Sequence, residues 1–238
     1  MYPTLQDVSK ERRFSERSAK DTFGKSFFFS KWGRKEIFMT VSYFYGTVDS
    51  QKSLLLYNQV FFSKKYSVSI EVIYPYIYYL NNKETFDRNQ ICYEGSCVSH
   101  KIKFFPNDNI DFVKIYTVYH THLFSVEEIR FLLRKIYYKN SFALISFIGL
   151  EKNYTGEKYP SHNYLLKRSN YIEKLHSLCK ICTEEEAEYN QAIMNGEEAP
   201  WIPEDIQMRV TYEARCETCY ISPEEVVKEK IPKEILTS

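Results

Sequence analysis

Four cysteines occur as two C-x2-C pairs, Cys179 with Cys182 and Cys216 with Cys219. Each pair presents two thiolates from one turn, and two such pairs complete the tetrahedral shell of a structural zinc site. Because four thiolates leave no open position for water, this site stabilises a fold and does not catalyse. The alternatives are four unrelated thiols or two disulfides, and the paired spacing favours Zn²⁺. A zinc–thiolate site also indicates a reducing compartment.

The elements that lead up to these cysteines alternate between strands and helices. Such alternation predicts a mostly parallel sheet covered by helices on both faces. Ser125, followed three residues later by Glu128, fits a capping box at the start of the second helix. The predicted strands span 38–45, 67–79, 110–119 and 142–148, and the predicted helices span 53–65 and 126–138.

The segment between the cysteine pairs, residues 183–205, is acidic. Its first half favours a helix with a solvated outer face, and the alternative is a site for a partner. Pro200-Trp201-Ile202-Pro203 predicts a turn that docks on the fold through its tryptophan.

Stretches around both cysteine pairs resemble the type II thymidine kinases. GLEKNYTGEKYPSHNYLL (149–166), continuing as YIEKLHSLCKIC (171–182), is similar to the family's lasso loop and first zinc knuckle, GLxTDFxGExFxxSxxLLxxADxIxKLxxICxxC. YEARCETCY (212–220) is similar to the second knuckle, YExRCxxCY. The resemblance covers residues 41–220 and implies a P-loop-type α/β domain with a small C-terminal zinc-ribbon (lasso) domain. It also implies the phosphorylation of thymidine by ATP with Mg²⁺.

The run YFYGTVDSQKSLLL (43–56) resembles the family's strand and phosphate loop, FxYGTMNSGKSxxLL. In such a loop, backbone N–H groups face the phosphates, a lysine reaches the outer phosphates and a hydroxyl holds Mg²⁺. Gly46, Lys52 and Ser53 keep their places. The glycine expected before the lysine is Gln51, whose Cβ disfavours a positive φ and crowds a phosphate. The sequence therefore predicts weakened or lost nucleotide binding.

The family's magnesium-organising and catalytic-base segment, DEAQF, is expected where YHTHLF (119–124) stands. The resemblance places Tyr119 at the aspartate position and His120 at the position of the catalytic glutamate. Phosphoryl transfer in this class needs one carboxylate to accept the hydroxyl proton and another to order the metal. His120 and His122 are candidates for a substitute base or a metal-binding pair, and the alternative is that they are structural.

The resemblance also implies a nucleoside pocket. Two lasso aromatics and a tyrosine before the second knuckle enclose the base in the family, and the matching residues are Tyr154, Tyr159 and Tyr212. Tyrosines stack on a pyrimidine ring as other aromatics do. Leu123 takes the place of the aromatic residue of DEAQF, so an altered pocket is expected.

Together these features favour a thymidine-kinase-like pseudoenzyme that acts as a structural or interaction subunit of a larger assembly. The alternatives are a divergent active thymidine kinase and a non-catalytic, nucleotide-binding regulator. The predicted organisation is an N-terminal extension (1–38), a P-loop α/β domain (39–148), a lasso and zinc-ribbon domain (149–222) and a C-terminal tail (223–238). The two end segments are the expected contacts for other protein subunits or for self-association.

Composition restricts the partners further. The chain has 238 residues, and its 32 lysines and arginines nearly balance its 31 acidic residues. This balance gives no field that would attract nucleic acid or an anionic membrane. No apolar run reaches the roughly 18 residues of a membrane span. The location expected is cytoplasmic. The mitochondrial matrix is the alternative, because the first 38 residues are basic, although they also contain acids.

Cys92 and Cys97, the two cysteines outside the C-x2-C pairs, are interpreted as ordinary small side chains.

Overall fold

A seven-stranded sheet forms the centre of the protein, seen in a computed structural model. The structure describes residues 39–66, 68–75, 91–94, 97–102, 115–202 and 210–230, and it describes the backbone alone for 64, 91–94, 97–102 and 228–230. The strands of this sheet are β1 (Thr40–Gly46), β2 (Ile70–Pro75), β3 (Ile91–Glu94), β4 (Cys97–Ile102), β5 (Ile115–Tyr119), β6 (Leu144–Leu150) and β7 (Tyr171–Lys174).

Five of the strands run parallel in the order β2-β5-β6-β1-β7, and the antiparallel hairpin β3–β4 extends the sheet beyond β2. The predicted mostly parallel sheet is therefore confirmed. The hairpin and β7 were not predicted from the sequence. Strands β1 and β2 are not neighbours, because β6 and β5 lie between them.

Helices cover both faces of the sheet. They are α1 (Lys52–Lys65), α2 (Val126–Lys139), α3 (Pro160–Arg168) and α4 (Pro223–Lys230). Successive strand residues point to opposite faces, and β1 shows this: Tyr43 packs with α2 and α3, whereas Phe44 packs against Leu55 and Leu56 of α1. The larger core lies between the sheet and α2, with Ile129, Leu132, Ile136, Ile145 and Phe147 buried there.

A buried polar row fixes α1 on its face of the sheet. Gln59 donates to the hydroxyl of Ser146 (3.0 Å) and accepts from the hydroxyl of Thr117 (2.7 Å). Both ends of a carboxamide that is 3% exposed are thus hydrogen-bonded, which removes most of the cost of its burial. These bonds hold α1, and the loop before it, over β5 and β6.

The capping box is confirmed. Ser125 accepts from the backbone N–H of Glu128 (3.2 Å), and the carboxylate of Glu128 accepts from the backbone N–H of Ser125 (2.7 Å). The predicted elements end within a few residues of the observed ones. Residues 38, 67, 76–79 and 110–114 of the predicted strands lie outside the described residues, as does the whole predicted extension 1–38. No helix in the described part of the chain has the length and apolar character of a membrane span.

A second, three-stranded sheet follows α3. It comprises β8 (Tyr189–Met194), β9 (Glu197–Glu198) and β10 (Thr211–Arg215), in the order β10-β8-β9. The prediction of a helix in the acidic segment is wrong, because β8 pairs with β10 and this pairing overrides local helix propensity. The predicted docking by tryptophan is also wrong: Trp201 is 58% exposed, and its neighbour Ile202 is buried instead.

Candidate nucleotide site and zinc centre

The loop between β1 and α1 contains the phosphate-loop residues. Asp49 and Gln51 have φ angles of 60° and 59°, in the left-handed region that glycine adopts at the least cost. The position where the family pattern has glycine thus has a glutamine in the left-handed region. At Gly46 a side chain is excluded, because a Cβ there would overlap the carbonyl oxygen of Leu175 and the side chain of Ser50.

Lys52 folds back across this loop. Its ammonium donates to the backbone carbonyl of Thr47 and to the hydroxyl of Ser50, the latter at 2.8 Å. Burial lowers the pKa of Lys52 to about 7, and the nearby carboxylate of Asp49 opposes that shift. This ammonium therefore loses its proton more readily than that of an exposed lysine.

Ser53, which the resemblance places at the magnesium-holding position, bonds to Tyr119, which it places at the aspartate position. Its hydroxyl lies 2.7 Å from the phenol oxygen of Tyr119 at the end of β5. Tyr119 is buried, and its ring lies against those of Tyr74 and His120. The structure thus brings together the hydroxyl and the residue at the family's aspartate position, but it joins them through a neutral phenol.

His120 and His122 lie in the turn that follows β5. His120 has a φ of 57°, and burial together with Lys52 lowers its pKa to about 3. His122 accepts at Nδ1 from the backbone N–H of Leu150 (3.2 Å), and burial, His120 and Lys52 hold its pKa well below the usual value. Both rings are therefore neutral at pH 7. Neutral imidazoles and a phenol differ from the oxygen-rich, anionic ligands that Mg²⁺ prefers.

Three tyrosines meet beside the histidine turn. The ring of Tyr159, at the start of α3, lies 5.2 Å from that of His122. Tyr212 packs against the hydrophobic cluster that contains Tyr154. Burial raises the pKa of Tyr212, and Tyr159 and Tyr154 raise it further. The hydroxyl of Tyr154 accepts from the backbone N–H of Ile202 (2.9 Å) and lies 3.3 Å from its carbonyl.

Leu123 is half-buried in the 3-10 turn Thr121–Leu123. Its backbone N–H donates to the carbonyl of His120 (3.0 Å). Gly149, on the neighbouring strand β6, faces this turn, because a Cβ there would overlap the hydroxyl of Thr121. The turn is thus packed closely on the sheet edge.

The four cysteines converge as the sequence predicts. The sulfur atoms of Cys179, Cys182, Cys216 and Cys219 all lie within 4.8 Å of one another, and those of Cys182 and Cys216 are 3.8 Å apart. Zn–S bonds of about 2.3 Å in a tetrahedron place the sulfurs about 3.8 Å apart. None of the four is in a disulfide. The donor set and its spacing therefore fit a metal such as Zn²⁺.

Each cysteine pair closes a turn. The backbone N–H of Thr183 donates to the carbonyl of Cys179, and that of Tyr220 donates to the carbonyl of Cys216, both at 3.0 Å. Arg215, which is 5% exposed, bonds to the carboxylate of Glu213 (2.7 Å) and to the carbonyl of Cys219 (3.3 Å). These hydrogen bonds fix the second knuckle to β10 without the help of a metal.

The phosphate loop also contacts this cysteine-containing module, which the sequence analysis missed. The hydroxyls of Thr47 and Ser177 are 2.6 Å apart, and the backbone N–H of Val48 donates to the side-chain oxygen of Asn190 (2.8 Å). The partners are about 130 and 142 residues apart in sequence. No local pattern in the sequence signals such distant pairs.

A phosphate-loop α/β sheet followed by a four-cysteine cluster is the arrangement that the resemblance to the type II thymidine kinases implies. The family model described as "Thymidine kinase" matches residues 39–220, so the chain belongs to the thymidine kinase family.

Curated relatives agree with this assignment. The chain is 35% identical over 81 residues to a thymidine kinase of Mycoplasma capricolum, and 35% identical over 74 residues to one of Chloroflexus aurantiacus. It is 29% identical over 75 residues to a thymidine kinase of Halobacterium salinarum. These alignments cover 33%, 30% and 31% of this chain, and 38% of each relative's length.

Proposed function

We propose that the protein is a catalytically silent member of the thymidine kinase family that serves as a structural or interaction subunit. The observation that carries the proposal is the 2.7 Å hydrogen bond between Ser53 and Tyr119. It engages the hydroxyl that would hold Mg²⁺ with an uncharged group at the position where the family has aspartate. Catalysis in this class depends on charge neutralisation around the phosphates and on a base for the hydroxyl.

The electrostatics of the histidine turn support the same proposal. His120, at the base position, has a pKa of about 3, so it is a poor proton acceptor at neutral pH. A general base works best when its pKa lies near the working pH. Neither His120 nor His122 supplies the negative charge that would order Mg²⁺.

Two carboxylates near the site are rival candidates for the missing base. Glu151 follows β6, but its carboxylate lies 3.0 Å from the ammonium of Lys158 and 3.9 Å from the buried ring of His162. Asp49 is exposed in the loop, and its carboxylate favours the charged form of Lys52. These contacts favour an ion-pairing role for each carboxylate over a role in catalysis.

A subunit role is further supported by the outer surface of α1. Leu54, Tyr57 and Phe61 are spaced as neighbours on one helix face and are 38%, 64% and 53% exposed. Exposed apolar side chains grouped in this way favour contact with another protein surface. The free thiols of the cysteine cluster favour a reducing intracellular compartment.

A nucleotide-binding regulator is the second candidate. Lys52 and Ser53 are retained, and Gln51 takes the left-handed conformation that the loop requires. These features support the binding of a phosphate group without turnover.

A kinase assay tests the proposal. Purified protein is incubated with thymidine, ATP and Mg²⁺ beside a Lys52→Ala variant, and we expect no thymidine monophosphate above background from either protein. Turnover that disappears in the variant would overturn the silent-subunit proposal in favour of an active thymidine kinase. Thermal stabilisation by ATP or thymidine triphosphate without turnover would favour the regulator.

The subunit role needs its own measurement. We expect the intact chain to copurify with a protein partner, and a Tyr57→Glu, Phe61→Glu double variant to lose that partner while keeping its fold. A Tyr138→Glu variant, which changes an aromatic residue that is 85% exposed on α2, is the control. Retention of the partner by the double variant would exclude the α1 surface.

A further inference from the structure

We propose that Ser177 and Asn190 are positioning residues through which the zinc ribbon holds the phosphate loop in shape. The inference concerns the conformation of the loop, so it stands whether or not the protein turns over a nucleotide.

The contacts themselves are short and largely enclosed. Asn190, on β8, is 2% exposed, and its side chain joins three segments: it accepts from the backbone N–H of Val48 (2.8 Å) and donates to the carbonyl of Lys152 (2.6 Å). Ser177 lies two residues before the first cysteine ligand. Its hydroxyl is 2.6 Å from that of Thr47 and donates to the carbonyl of Val48 (3.3 Å).

The loop requires such support because it contains two residues in an unfavourable conformation. A non-glycine residue in the left-handed region is sterically unfavourable, and such a conformation persists where its surroundings over-determine it. Asp49 and Gln51 are both in that region. In the described residues, the ribbon bonds to Thr47 and Val48, the two residues just before this strained segment.

The supporting residues are in turn fixed by the ribbon. The carbonyl of Ser177 accepts from the backbone N–H of Ala187 (2.8 Å), within the first knuckle. In the pairing of β8 with β10, Asn190 lies opposite Ala214. Ala214 is two residues before Cys216. When the cysteines bind Zn²⁺, the metal fixes both the segment after Ser177 and the strand opposite Asn190. Loss of the metal is therefore expected to loosen the phosphate loop as well as the ribbon.

Hydrogen–deuterium exchange on the zinc-loaded full chain tests this. In Asn190→Ala we expect exchange of peptides covering residues 46–53 to rise about fivefold, which is the loss of one hydrogen bond worth about 1 kcal/mol. Asn170→Ala is the matched control, because Asn170 accepts in the same way from the backbone N–H of Val41 (2.9 Å) at the other end of β1. It should leave exchange at 46–53 unchanged.

Two further measurements protect the test against a variant that fails to fold. Ser177→Ala removes the contacts to Thr47 and Val48 with a minimal change of volume, and it should also raise exchange at 46–53. Treating the wild-type chain with a chelator should raise exchange in the loop and the ribbon together. If the ribbon opens while the loop keeps its protection, or if Ser177→Ala leaves the loop unchanged, the proposal is wrong.

Discussion

The cysteine ribbon and the phosphate-loop site, formed by residues 46–53 and 119–122, differ in what each keeps of the family pattern. The ribbon has all four cysteines with their sulfurs within 4.8 Å, and its turns are hydrogen-bonded. The phosphate-loop site keeps Lys52 and Ser53 but has Tyr119 and His120 where the family pattern has carboxylates. A metal-stapled module contributes to folding, whereas catalytic carboxylates contribute only to the reaction. This difference is what the proposed silent-subunit role predicts.

The largest expected effect is on the ribbon. Cys216→Ser should abolish stoichiometric zinc binding and unfold residues 177–220, because binding free energy at a structural zinc site contributes directly to folding. Cys92→Ser is the control and should leave zinc content unchanged. Zinc content by elemental analysis and thermal unfolding of both variants check this. Full zinc content in Cys216→Ser would refute the assignment of the site.

A second effect concerns the stability of the protein at acid pH, which depends on His120. The pKa of His120 is about 3 in the folded chain against 6.5 for the free side chain, so the unfolded state binds more protons between these values. The stability that depends on a neutral His120 is present above pH 6.5 and is lost as the pH falls towards 3.

His120→Asn measures that contribution, since asparagine tolerates the left-handed conformation at this position. The free energy of unfolding of the wild type should fall more steeply than that of the variant between pH 6.5 and 4, by an amount on the order of a few kcal/mol. Urea unfolding at stepped pH gives both curves. Parallel curves would show that His120 is not buried in its neutral form.

A smaller effect is expected at position 51. Gln51→Gly should raise the free energy of unfolding by about 0.5–1 kcal/mol, because glycine adopts a φ of 59° without the steric cost of a Cβ. Asp49→Gly is the matched comparison and should gain less, since aspartate is better tolerated there. Chemical denaturation of both variants tests the ranking. Destabilisation by Gln51→Gly would show that the glutamine side chain stabilises the loop.

An effect of similar size belongs to the bond between Ser53 and Tyr119. A double-mutant cycle of Ser53→Ala and Tyr119→Phe should give a coupling energy of about 0.5–1.5 kcal/mol, the net value of one such hydrogen bond. Additive effects of the two substitutions would mean that the bond contributes nothing to stability, and would weaken the case for a silent site.

Much of the sheet could be predicted because parallel, doubly buried strands are apolar runs, as in LISFIGL of β6. The β3–β4 hairpin was missed, since the sequence of β4, CVSHKI, shows no such run. Helix was predicted in the first half of the acidic segment from its Glu-rich stretch, but this half runs into β8, where strand pairing with β10 decides the conformation. The cysteine cluster was predictable because its spacing is local. The bonds of Ser53 to Tyr119 and of Val48 to Asn190 were not, because they join segments that only the fold brings together.

The last strand of the central sheet, β7, has a further consequence for how the protein behaves at high concentration. It is only four residues long, YIEK, and it ends in Glu173 and Lys174 beside the ribbon. Short edge strands with charged side chains resist pairing with the edge of another molecule. At this edge the molecule is therefore protected against edge-to-edge strand pairing, which leads to aggregation.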